Sequence, residues 1–140
     1  MLPSLTEYER LIYGLPETHA EIQHSTLVVI RHGPAFAEVS GELQFEFSIT
    51  LGVWEDLNFD QNVIQGYSYW VKREEEYLYW YDSQPHPNEP SLAGTHPHHK
   101  HIPPDIKHHR IPAQDLGFDR PNLPFLIDEI VRDLIRYQKP

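Results

Sequence analysis

From residue 43 to residue 51 apolar and polar side chains alternate without a break. Leu43, Phe45, Phe47, Ile49 and Leu51 fall on one side of an extended chain, and Gln44, Glu46, Ser48 and Thr50 on the other. A period of two demands a sheet with one covered and one wet face, so the chain must supply a layer for the apolar side. Its C-terminal part does. Leu123, Leu126, Ile127, Ile130, Val131, Leu134 and Ile135 recur at helical spacing opposite Asp128, Glu129, Arg132, Asp133 and Arg136. That pattern predicts an amphipathic helix of about four turns, opened by Asn122 and Pro124.

Three further runs read as strands. Residues 26–30 are apolar and largely β-branched, ahead of the turn His32-Gly33-Pro34; residues 63–72 carry Tyr67, Tyr69, Trp70 and Val71; residues 77–82 run from Tyr77 to Asp82. Glu74, Glu75 and Glu76 form a solvated hairpin tip between the last two. Near the N-terminus, Ser4-Leu5-Thr6-Glu7 has capping-box spacing and predicts a short helix over 4–13, ended by Gly14 and Pro16. The expected architecture is α+β: a short N-terminal helix, a four-stranded antiparallel meander, a long His/Pro-rich loop over 83–121, and the C-terminal amphipathic helix. At 140 residues and 39% apolar, the chain can build one core but not two, so a single domain over 1–140 is expected.

Charge and cysteine content exclude some functions. Lys and Arg number 11 against 21 Asp and Glu, a net charge of −10, which rules out a globally electropositive nucleic-acid binder. With no cysteine, disulfides and thiolate zinc sites are excluded, and any metal must be held by His and carboxylate. No leader pattern and no apolar run of ~20 residues occurs, so the expectation is a soluble, cytoplasmic protein without a membrane partner.

The 28 residues 85–112 break with everything around them, holding seven of the 13 prolines and seven of the ten histidines. They show no period, and connections this long are usually functional or disordered. The stretch 86–110 is also the part that is not net acidic: it carries 3 basic and 2 acidic groups, against 4 and 14 before it and 4 and 5 after it. Imidazoles beside an anion add positive charge, so this segment suits phosphate.

Two chemistries fit its side chains. In metal-free RNA cleavage, His98 and His101 serve as base and acid, Lys100 stabilises the charged phosphorane, and Asp82 orients one imidazole, with His86 close in sequence. His96, His99, Arg110 and Tyr81 are then the candidate substrate-binding groups. In the alternative, the chain is a His-ligated metal-dependent nuclease or phosphotransfer enzyme, with zinc or another divalent metal held by His96, His98 and His101 with Asp82 or His86. No cofactor is expected on the first reading. A third reading, from a different class, is a non-catalytic protein whose His-rich loop orders on a partner. The aromatic group Tyr67, Tyr69, Trp70, Tyr77, Tyr79, Trp80 and Tyr81 serves either as a base-stacking platform or as core and cross-strand packing. His19, His24 and His32 lie outside the cluster, and Arg120, like Arg110, is either a phosphate clamp or a surface residue.

At Tyr79-Trp80-Tyr81-Asp82-Ser83-Gln84-Pro85-His86, followed by His96-Pro97-His98-His99-Lys100-His101, the sequence resembles the TumE-like family of toxin proteins. Members show a strand ending in Tyr/Trp-x-Tyr-Asp-Asn, a Pro-His step and a Pro-His-His-Lys-His signature; Ser83 here replaces the more usual Asn. The resemblance covers about 66–101. It implies the toxin of a toxin–antitoxin pair, with a cognate antitoxin as partner. RNA as the target is an expectation from the histidines.

Overall fold

The Ser4 side chain accepts a hydrogen bond from the Glu7 N–H at 3.2 Å, and helix α1 follows over Leu5–Thr18. The computed structural model describes residues 1–84, 90–91 and 97–136. Leu5, Tyr8, Ile12 and Leu15 are buried. Neither Gly14 nor Pro16 ends the helix, because the buried Leu15 and a bond from the His19 N–H to the Leu15 carbonyl hold a further turn.

Among the described residues eight strands form one antiparallel sheet: β1 (His24–Ser25), β2 (Val28–Arg31), β3 (Phe36–Gln44), β4 (Ile49–Asn58), β5 (Val63–Arg73), β6 (Glu76–Asp82), β7 (His99–His101) and β8 (Arg110–Pro112). From β3 to β8 each strand pairs with the next, while β1 and β2 share the outer edge of β3. Helix α2 (Leu123–Ile130) continues into a π-helical turn, Val131–Ile135. The α+β class holds, but the four-stranded meander is replaced by this larger sheet.

Two differences account for the change. The alternating run 43–51 is a hairpin, not a strand: β3 and β4 meet through the turn Glu46–Ser48, where Phe47 and Ser48 take φ of 61° and 58°. Leu43 pairs with Leu51, so same-parity residues face the same side in both strands and the period of two runs through the turn unbroken. Phe47 is the exception, exposed while Leu43, Phe45, Ile49 and Leu51 are buried. Second, the His/Pro-rich segment supplies β7 and β8. Three-residue strands are too short to show a period, and they form because the edge of β6 offers backbone groups that need partners.

One face of the sheet carries the core. Val39, Leu43, Leu51, Val53, Leu57, Tyr69 and Val71 are buried there together with α1 and α2 in a single cluster. Within it Glu55, fully buried, accepts hydrogen bonds from Tyr8 of α1 and Tyr69 of β5, and Asn122 Nδ2 donates to the Tyr69 hydroxyl at 3.2 Å. The Glu55–Tyr69 pair thus links the sheet to α1 through Tyr8 and to the start of α2 through Asn122. Gly41 has φ +135°, and a Cβ there would lie 2.5 Å from the Thr26 carbonyl oxygen. Gly41→Ala is expected to destabilise by more than about 1 kcal/mol. An unchanged midpoint in urea unfolding would contradict the close packing of Thr26 on β3.

Candidate functional site

Side chains on a strand alternate in facing, and antiparallel pairing aligns them into rows across the sheet. On the face away from the helices, one row runs Trp54, Ser68, Asp82, His99, Pro112, and its neighbour runs Gly52, Trp70, Trp80, His101, Arg110. The rows place the strand-end carboxylate beside two imidazoles. His99 and His101 are spaced two apart on β7 and therefore share this face.

The three groups converge. His99 Nε2 lies 2.7 Å from Asp82 Oδ1, His101 Nε2 lies 3.2 Å from Asp82 Oδ2, and the two Nε2 atoms are 3.1 Å apart. Behind the rings, His99 Nδ1 meets the Pro97 carbonyl at 3.0 Å and His101 Nδ1 meets the Ile106 carbonyl at 2.8 Å. Both histidines are buried, at 1% and 6% exposure, whereas the Asp82 side chain keeps 21% and opens the centre to solvent. Burial lowers the His101 pKa below the usual imidazole value, against the Ile106 carbonyl and the Asp82 charge. Burial also pushes the Asp82 carboxyl up, but its contacts with His99, Gln84 N–H and His101 outweigh this and leave it below the ordinary carboxylate range.

The neighbouring residues of the motif go elsewhere. His98 turns to the core side, where Nδ1 lies 2.7 Å from the Tyr67 hydroxyl and its ring packs on Tyr67 and Phe118. Lys100 also faces that side; its Nζ lies 3.3 Å from Glu129 of α2 and 4.3 Å from the Tyr79 ring centre. Tyr81, proposed from sequence for substrate, is buried and donates to Glu129 at 2.9 Å. Burial, then the Glu129 charge, pushes its hydroxyl well above the usual phenol value. The structure therefore does not gather His98 and Lys100 with Asp82 and His101. Arg110 does sit opposite His101 in its row. His86 and His96 lie outside the described residues, so ligand sets containing either do not arise among the described groups.

The aromatic cluster divides between the two faces of the sheet. Tyr67, Tyr69 and Tyr81 are buried on the core side, while Trp70, Trp80 and Tyr77 border a groove of about 380 Å³ with Ser68, Ile106 and Lys107. The Trp80 indole stacks on the His101 ring, 4.5 Å between centres, so Trp80 stands between the groove and the Asp82 centre. Gly52 makes room for it: a Cβ there would lie 1.9 Å from the Trp70 indole. A larger depression of about 740 Å³ near Glu46, Glu74 and Glu75 has no basic side chain in its lining and does not suit phosphate. Sequence reasoning named His99 only as a substrate contact and passed over Lys107. The available signal was His-x-His beside a strand ending in Asp82, which puts three potential donors on one face.

Fold and site define a small α+β protein with a His/Asp centre on the open face of an antiparallel sheet. The chain belongs to the Toxin TumE family, whose model matches residues 11–135. Membership supports a toxin role and bears out the resemblance carried by the Tyr-Asp and Pro-His-His-Lys-His segments. No curated protein matches the chain, and no solved structure does. No helix among the described residues is long and apolar enough to cross a membrane.

Proposed function

We propose that this toxin arrests growth by cleaving RNA, with Asp82, His99 and His101 as its reacting centre. The observation that carries the reading is the convergence of these three groups within 2.7 to 3.2 Å, with His101 stacked on Trp80 of a neighbouring aromatic groove. Trp70, Trp80 and Tyr77 offer ring faces on which a base of single-stranded RNA stacks, a contact worth ~1–3 kcal/mol per base. Lys107 at the groove and Arg110 beside His101 supply positive charge for the phosphate. The acidic body disfavours duplex binding, so substrate engages this one locality.

In the reaction the 2′-oxygen forms a bond to phosphorus as the bond from phosphorus to the 5′-oxygen breaks. The 2′-hydroxyl proton passes to a base at the centre, a side chain or a water held there, and the leaving oxygen receives a proton from an acid at the same place. His98 and Lys100, on the opposite face, hold β7 against the core. As a family member the protein is paired with an antitoxin, which blocks the toxin when bound.

Asp82→Asn tests the centre with little change in volume. Induced wild-type chain is expected to stop growth and fragment cellular RNA, and the purified chain to cut single-stranded RNA. The Asn variant, folded by circular dichroism, is expected to do neither. Arrest by the wild type with intact RNA, or full toxicity of the variant, would refute the reading.

A further inference from the structure

The hydrogen-bonding pattern around the centre determines what is placed between its three groups. A carbonyl oxygen only accepts, so the Pro97 and Ile106 carbonyls place a hydrogen on Nδ1 of both His99 and His101. A neutral imidazole has one N–H. Both Nε2 atoms therefore present lone pairs, and these point at each other across 3.1 Å and at the two oxygens of Asp82 across 2.7 and 3.2 Å. Acceptors face acceptors in all three contacts. One additional proton on His99 answers its contact with Oδ1 but leaves the His101 lone pair opposed to Oδ2. Two additional protons set N–H groups against each other across the 3.1 Å gap. A single cation between the groups satisfies all three at once.

We infer that Asp82, His99 and His101 bind one divalent first-row transition-metal ion through the carboxylate and the two Nε2 atoms. Imidazole nitrogen with one carboxylate selects zinc, cobalt(II), iron(II) or manganese(II) over magnesium, which prefers all-oxygen ligands. Ligands at ~2.0–2.1 Å in a tetrahedron stand about 3.3 Å apart. The observed 2.7 to 3.2 Å therefore needs an opening of at most about 0.6 Å, at the His99–Asp82 contact. The backbone carbonyls behind the rings do what outer partners do for metal-binding histidines, setting the tautomer and the ring orientation. Three protein ligands leave at least one position open toward the exposed side of Asp82, where water or a phosphate oxygen binds. This ligand set differs from the ones the sequence suggested, since it uses His99 in place of His96 and His98.

The inference deepens the proposed function by supplying the cofactor of the same centre, but metal binding reads it out without reference to RNA. The full chain, made without a polyhistidine tag and stripped with chelator, is titrated with Co²⁺ and followed by visible absorption. One equivalent is expected to bind with a ligand-field band that Zn²⁺ abolishes by displacement. Asp82→Asn, His99→Gln and His101→Gln are each expected to weaken binding by more than the ~10- to 100-fold that loss of an outer hydrogen-bonding partner costs. His108→Ala/His109→Ala, altering two exposed imidazoles, is expected to leave it unchanged. Should the Gln variants fail to fold, histidine ¹⁵N resonances of the unaltered chain on adding Zn²⁺ give the answer, since two Nε2 signals and no Nδ1 signal are expected to shift. Absence of saturable binding at one equivalent, or binding lost only in the His108/His109 variant, would overturn the inference. Metal binding without RNA cleavage would leave the inference intact and overturn the proposed function. Cleavage by a chain that shows no saturable metal binding would do the reverse.

Discussion

His99→Ala is expected to lower the rate of RNA cleavage by ~10²–10⁴-fold, the range that loss of acid–base catalysis at a reacting centre costs. His98→Ala, one residue earlier, is expected to leave the rate of the folded fraction within a few-fold of wild type. The contrast follows from pairing with β6, which turns His99 toward Asp82 and His98 toward Tyr67 and Phe118. His98→Ala acts on stability instead. It removes the imidazole partner of the partly buried Tyr67 hydroxyl, at a cost of ~1–3 kcal/mol. Single-turnover cleavage with protein corrected for its folded fraction measures both effects. Equal losses in the two variants would contradict the division of the motif between the faces.

Tyr69→Ala is expected to lower stability by ~3–5 kcal/mol, as truncation of a large buried aromatic does. Typical domains are stable by only ~5–15 kcal/mol, so this variant loses a large share of its stability. Tyr69 has no exposure and joins two polar contacts, donating to Glu55 and accepting from Asn122. Tyr69→Phe separates the terms: it keeps the ring but leaves Glu55 with one tyrosine donor, Tyr8, at an expected cost of ~1–3 kcal/mol. Urea unfolding of the three proteins checks the order. A phenylalanine variant as unstable as the alanine variant would place the whole contribution in the hydroxyl network.

Much of the layer structure was legible along the chain. The stripe from Leu123 to Ile135 announced a helix because a period of 3.6 is local, and Ser4 with Glu7 announced the start of α1 for the same reason. The hairpin at Glu46–Ser48 escaped notice because pairing of Leu43 with Leu51 conserves parity through the turn. Asp82 and His101 were selected by their chemistry and do lie together. His98 and Lys100 were selected by adjacency in the motif, and alternation along β7 sends both to the other side.

By itself the sequence determined the α+β class and which chemistry is available: two helices, β-forming aromatic runs, no thiols, and a concentration of imidazoles beside a strand-end aspartate. Tertiary structure decided which of those imidazoles share a space. A three-residue strand has no facing of its own. Its facing comes from the register in which it docks on β6, and that register is set by backbone partners separated along the chain by the intervening segment.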